Sequence, residues 1–124
     1  MKTRALVLLA IAVGLCGCVT DNQTVIAYNG TSRILSGFYI HSSSGFGFTY
    51  GSFNPGISKS CRGRIVVRST DQCDVTWNDS DNKSHAVNLD LSKHLPRGFR
   101  GNLLFTVTTN GNVTVKPDTG VGPK

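Results

Sequence analysis

Residues 102–116 read Asn102-Leu103-Leu104-Phe105-Thr106-Val107-Thr108-Thr109-Asn110-Gly111-Asn112-Val113-Thr114-Val115-Lys116, two strand-like arms around a turn. β-Branched and aromatic residues fill both arms, and such side chains suit the pleated, half-buried surface of a sheet. A three-residue loop at Asn110-Gly111-Asn112, with Gly111 left-handed, pairs Val107 with Val115. It also keeps Phe105, Val107, Val113 and Val115 on one face, whereas a two-residue loop sets Val113 opposite Thr108. The three-residue loop is the expected one.

The same period of two runs backwards from there. Over 84–91, Val87, Leu89 and Leu91 alternate with Asn88 and Asp90, and over 73–77, Cys73, Val75 and Trp77 share a face. Between these segments, Asn78-Asp79-Ser80-Asp81-Asn82-Lys83 reads as an exposed turn. Its oxygens invite calcium, but it lacks the spacing, the central Gly and the closing Glu of an EF-hand loop, so a solvated turn is expected. Residues 92–101 form a basic connection broken by Pro96, Gly98 and Gly101.

Further upstream, 61–68 reads as a strand with Ile65 and Val67 inward and Arg62, Arg64, Val66 and Arg68 on the other face. A row of arginines grips carboxylates or phosphates bidentately, or simply solvates a strand edge. Residues 42–60 are different in kind, mixing Gly and Ser with Phe46, Phe48, Tyr50 and Phe53 and lacking helical periodicity. Those aromatics either pack down on the sheet or stand exposed as anchors for a partner, since aromatic residues and Arg dominate interface hot spots. Residues 24–28 end at Asn29-Gly30, a hairpin signal, with 33–41 as the returning strand. In that strand Ile34, Phe38 and Ile40 share a face, and Gly37 marks a bulge or a close backbone approach.

No segment after residue 18 sustains helical periodicity, and turn signals recur every 8–12 residues or so. The expected fold is all-β, a small antiparallel β-sandwich or partly open barrel of about seven strands.

The other end of the chain decides the address. After Lys2 and Arg4 every residue from Ala5 to Val13 is apolar, and Gly14 leads into Leu15-Cys16-Gly17-Cys18. A basic start, a short apolar run and small residues before a cut describe a secretory signal; a spanning helix needs roughly 20 apolar residues. The quartet resembles the lipobox of bacterial lipoproteins. That resemblance implies cleavage between Gly17 and Cys18, a diacylglycerol thioether on Cys18 and acylation of its freed amine. A single chain anchors only reversibly, so two or three chains make the attachment durable. Val19, not Asp, follows the cysteine; in the enterobacterial sorting pattern this implies the outer membrane, facing the periplasm. The expected organisation is a leader at 1–17, a lipidated N-terminus and tether at 18–23, one β domain at 24–117 and a flexible tail at 118–124. A tether that short spans at most roughly 18 Å.

The chain carries a formal charge of +6, and removing Lys2 and Arg4 with the leader leaves +4, with seven Asp and no Glu. That balance suits an acidic partner or anionic headgroups, and nucleic acid is a poor match for a periplasmic lipoprotein. Cys61 and Cys73 are the cysteines left beyond the anchor, and in an oxidising compartment they are expected to pair, tying 73–77 to its predecessor strand. A loop of that size is worth about 3 kcal/mol in the chain-entropy account. His41, His85 and His94 are scattered, none at a ligand spacing from either cysteine, so no metal or other cofactor is expected. Asp90, Ser92 and His94 lie together, but triad members usually come from separate segments, and no Gly-x-Ser-x-Gly elbow, His-Glu-x-x-His or phosphate loop is present. The expectation is a binding protein without catalytic residues or a small-molecule substrate.

Beyond the lipobox, Tyr28-Asn29-Gly30-Thr31-Ser32-Arg33-Ile34, Gly37-Phe38-Tyr39-Ile40, a Gly/Ser-rich stretch, a cysteine, Val75-Thr76-Trp77, and the closing Asn102-Leu103-Leu104-Phe105-Thr106-Val107 with Gly111-Asn112-Val113-Thr114-Val115 form a layout. It resembles a family of small lipoproteins that includes immunity proteins against type VI secretion phospholipases. The chain has a single Cys61 where that pattern commonly has a pair, and no Pro and Trp follow it. The resemblance implies a tethered inhibitor that binds a toxic phospholipase effector at the membrane it attacks. Contact candidates are Phe46, Phe48, Tyr50, Phe53, Arg62, Arg64 and Arg68. The alternatives are a lysozyme inhibitor lipoprotein and a structural or assembly lipoprotein of the outer membrane.

Overall fold

A computed structural model describes residues 23–63 and 67–118. The expected leader, Cys18, most of the tether, Arg64 with Ile65 and Val66, and the tail beyond Asp118 lie outside the described residues.

Among those residues are eight strands: β1 (Gln23–Asn29), β2 (Leu35–Ser42), β3 (Gly47–Phe53), β4 (Ser58–Gly63), β5 (Gln72–Asp79), β6 (Ser84–Asp90), β7 (Leu103–Val107) and β8 (Val113–Pro117). A short 3-10 turn, Leu91–Lys93, follows β6. The strands form two four-stranded sheets, in the orders β4-β1-β7-β8 and β3-β2-β5-β6. The sheets do not close on one another, so the all-β expectation resolves to a sandwich and not a barrel. Pairing is antiparallel except between β1 and β7, which run parallel.

Inward-facing residues of both sheets make one core. From the first come Val25, Ala27, Leu103, Phe105, Val107, Val113 and Val115, and from the second Leu35, Phe38, Ile40, Val75 and Trp77. Phe38 is the hub. Its ring meets Tyr50 at 5.6 Å and Phe53 at 5.5 Å edge-on, and stacks on Trp77 at 5.8 Å. Such pairs add about 0.5–1.5 kcal/mol each to the burial of their apolar area.

The closing hairpin forms with its loop one residue earlier than expected. Val107 pairs with Val113 and Phe105 with Val115. The loop is Thr109-Asn110-Gly111, closed by Thr108 N–H to Asn112 O at 2.8 Å and Gly111 N–H to Thr108 O at 3.0 Å, with Gly111 at φ +81°. That is a turn ending in a left-handed residue. Val107 therefore moves from Val115 to Val113, a two-residue step that leaves every side chain on its expected face.

Asn29-Gly30 is not a hairpin turn. β1 and β2 belong to different sheets, and residues 30–34 carry the chain across the end of the sandwich. Asn29 is fully buried and holds this corner together. Its Nδ2 donates to Arg33 O (2.7 Å) and Phe53 O (3.2 Å), and its Oδ1 accepts from the Thr31 N–H (2.9 Å) and hydroxyl (2.6 Å). Gly37 makes the expected bulge, at φ +59° where the register of β2 shifts. The bulge changes the inward set. Leu35 is buried with Phe38 and Ile40, and Ile34 is 48% exposed, because an extra residue inverts the alternation on one side.

Residues 42–60 hold one strand and the start of a second. β3 buries Phe48, Tyr50 and Phe53, and β4 begins at Ser58, three residues before the strand expected at 61–68, and ends at Gly63. Val67 is buried as expected but lies outside any strand. Gln23, assigned to the tether, is buried in β1 and stands in for a strand neighbour: its Oε1 accepts from Val67 N–H (2.7 Å) and its Nε2 donates to Val67 O (3.1 Å) and Gly101 O (2.7 Å).

The expected Cys61–Cys73 disulfide is not seen. Cys61 and Cys73 are free thiols. β4 pairs with β1 and β5 with β2 and β6, so the two cysteine-bearing strands lie in opposite sheets and are not neighbours within one sheet.

Candidate functional site

The row of inward residues on β5 runs Cys73, Val75, Trp77 and then Asp79. The first three face the core, but the fourth reaches the end of the sandwich, where a carboxylate finds partners. Asp79 Oδ1 accepts from the N–H groups of Asp81 (2.8 Å) and Lys83 (3.2 Å), and its Oδ2 lies 2.9 Å from His85 Nε2. The bond to His85 is the largest influence holding the Asp79 carboxyl below its ordinary 3.8, at about 2, with the two backbone donors acting in the same direction. An ionised Asp79 has no proton to give, so His85 Nε2 carries the hydrogen between them.

β6 returns opposite β5 with His85 against Trp77. Their rings are nearly parallel, at 8°, with centroids 5.1 Å apart. A stack thus runs from Phe38 in the core through Trp77 to His85 at the surface. The expected exposed turn at 78–83 is correspondingly shorter, since β5 continues to Asp79 and buries it. Asn82 turns at φ +62°, and Asp81 forms an ion pair with Arg33 of the β1–β2 corner.

These groups line a cleft of about 170 Å³. The corner contributes Thr31, Ser32 and Arg33; β5 and β6 contribute Trp77, Asp79 and His85; the β7–β8 turn contributes Thr109, Asn110 and Gly111, over Leu35 and Val107. A corner, the ends of two paired strands and a turn, drawn from both sheets, therefore converge on one mouth. Its rim of hydroxyl, amide, imidazole and guanidinium groups gives it the composition of a polar binding site.

The residues singled out in the sequence fall elsewhere. Phe48, Tyr50 and Phe53 belong to the core, and Phe46 is partly buried against it, so these rings are not free anchors for a partner. Tyr50 also donates its hydroxyl to Val25 O at 2.8 Å, bridging the sheets, and burial pushes its ionisation up. Arg62 and Arg68 are exposed, Arg62 on the edge strand β4 and Arg68 beyond the end of that strand. Asp90 accepts from the backbone and hydroxyl of Ser92 and caps the 3-10 turn, which lowers its pKa. Among the described residues no group of three His, Cys or acidic residues is placed to hold a metal.

Sequence reasoning missed Trp77, Asp79, His85 and Arg33 as a group. The signal for part of it was present: continuing the alternation by one step puts Asp79 inward, and pairing β5 with β6 puts His85 beside Trp77. Arg33 and the Asn110 turn had no such signal, because tertiary folding alone brings them there.

The fold and the cleft define an all-β sandwich with a polar socket at one end. No family model and no curated protein matches the sequence. An NMR structure of a protein from Eubacterium rectale is similar in fold, with a TM-score of 0.55 and 15% identity, covering 82% of this chain and 94% of that one. At that identity the likeness concerns the fold alone.

Proposed function

We propose that the chain is an outer-membrane lipoprotein facing the periplasm, which acts by binding a toxic type VI phospholipase effector and blocking it. The observation that carries the reading is Leu15-Cys16-Gly17-Cys18 closing an apolar run behind Lys2 and Arg4. The effector assignment follows the resemblance described above. A short tether keeps the domain close to the bilayer and raises its effective concentration at the surface under attack, so that moderate affinity suffices. Exposed Arg62 and Arg68 offer planar donors to carboxylates of the partner.

The test is co-purification of the full-length chain with the proteins encoded beside it, followed by a lipase assay. A neighbour that binds and loses hydrolytic activity supports the reading. Binding without loss of activity, or inhibition of lysozyme instead, overturns it. Labelled palmitate checks the anchor separately, and its absence from Cys18 removes the location.

A further inference from the structure

We propose that the cleft at the end of the sandwich binds a neutral, hydroxyl-rich ligand the size of one sugar ring. This assignment does not depend on the effector reading. Size sets the first limit: about 170 Å³ holds about six waters at ~30 Å³ each, less than the ~300 Å³ at which drug-sized pockets begin.

Hydrogen bonding sets the second. Asp79 holds His85 by Nε2, and Trp77 fixes the plane of the ring. With the hydrogen on Nε2, the uncharged form of the His85 ring presents Nδ1 as an acceptor, and among the described residues that atom has no hydrogen-bond partner. It points toward Gly111 across the cleft, being the nearest atom, at 3.9 Å, to the place a Cβ would take there. A ligand must offer it an O–H or N–H. A purely apolar occupant would bury an unsatisfied acceptor, which is unfavourable.

Charge sets the third. Arg33 is paired with Asp81, and Asp79 is satisfied by His85 and two backbone amides. An incoming ion would have to break one of these arrangements or lose its water without a counter-charge. Hydroxyl groups, which donate and accept at once, match the Ser32 and Thr109 hydroxyls and the Asn110 amide on the rim.

Trp77 is the single tryptophan of the chain, and its stack on His85 makes its emission a reporter of the cleft. The full-length chain, in a detergent without a sugar headgroup, is titrated with glucose and with N-acetylglucosamine, and with acetate and inorganic phosphate as ionic comparisons. The expected result is a saturable change with a sugar and none with the ions, and affinity lowered up to about tenfold in Asn110→Ala, the effect of one lost hydrogen bond. His85→Phe, read by equilibrium dialysis, should show a similar loss. Should His85→Phe fail to fold, Asn110→Ala, on an exposed turn, decides alone. No saturable change with either sugar, saturation by acetate or phosphate, or unaltered sugar affinity in Asn110→Ala overturns the assignment.

Discussion

Trp77 and His85 face each other across β5 and β6 with their ring planes 8° apart, and the imidazole so held is bonded at 2.9 Å to Asp79, two residues beyond the tryptophan. Core packing thus orients a surface group. The orientation passes through an ionised carboxylate, and this gives the arrangement a pH dependence.

Asp79 titrates at about 2 in the folded chain against an ordinary 3.8. A depressed carboxyl contributes stability that is fully present above its unfolded pKa and is lost as the pH falls through the folded one. The wild-type melting temperature should therefore drop between about pH 4 and pH 2. Asp79→Asn should be less stable at neutral pH and flatter across that window, the two curves converging in acid. Thermal melts monitored by circular dichroism at stepped pH check this; parallel curves would show that the carboxylate has no such role.

Gly37 sits at φ +59° in the bulge that turns Leu35 inward and leaves Ile34 outside. Gly37→Ala should cost about 1–2 kcal/mol, the penalty of a Cβ in the left-handed region. Gly37→Asn should cost less, since asparagine tolerates that region. The nearest atom to an added Cβ is Asn78 Nδ2 at 3.7 Å, an ordinary contact, so crowding does not confuse the comparison. Urea unfolding of the three proteins gives the order, and equal losses for Ala and Asn would place the cost elsewhere.

Cys73 is fully buried and its thiol is pushed up to about 12, chiefly by burial, with Asp71 and Asp74 adding to it. Cys61 is partly exposed, and burial raises its pKa too. Because the thiolate is the reactive form, maleimide at neutral pH should modify Cys61 slowly and Cys73 only on unfolding. Timed alkylation read by peptide mass spectrometry checks this. A linked Cys61–Cys73 peptide from non-reduced protein would instead show that the two sheets approach closely enough to bridge.

The sequence determined by itself that the chain forms strands, and which side of most of them is apolar. The faces of 73–77, 84–91 and 102–116 stand as read, because period-two alternation is a local property and survives an error of two in register. It also offered a bulge at Gly37, as one of two readings, and a left-handed turn at Gly111. Partnership between strands was decided only by the tertiary structure. Asn29-Gly30 has the composition of a hairpin turn but serves a corner, because the fully buried Asn29 finds its partners in Phe53, far along the chain, as well as in the corner itself. Gln23 looked like tether and became a buried clasp on Val67 and Gly101, which are 44 and 78 residues away. The cleft is of the same kind: its rim comes from a corner, a strand pair and a turn that no local pattern links. Which residues point inward follows from the spacing of side chains along one strand; what they meet there depends on where the other strands return.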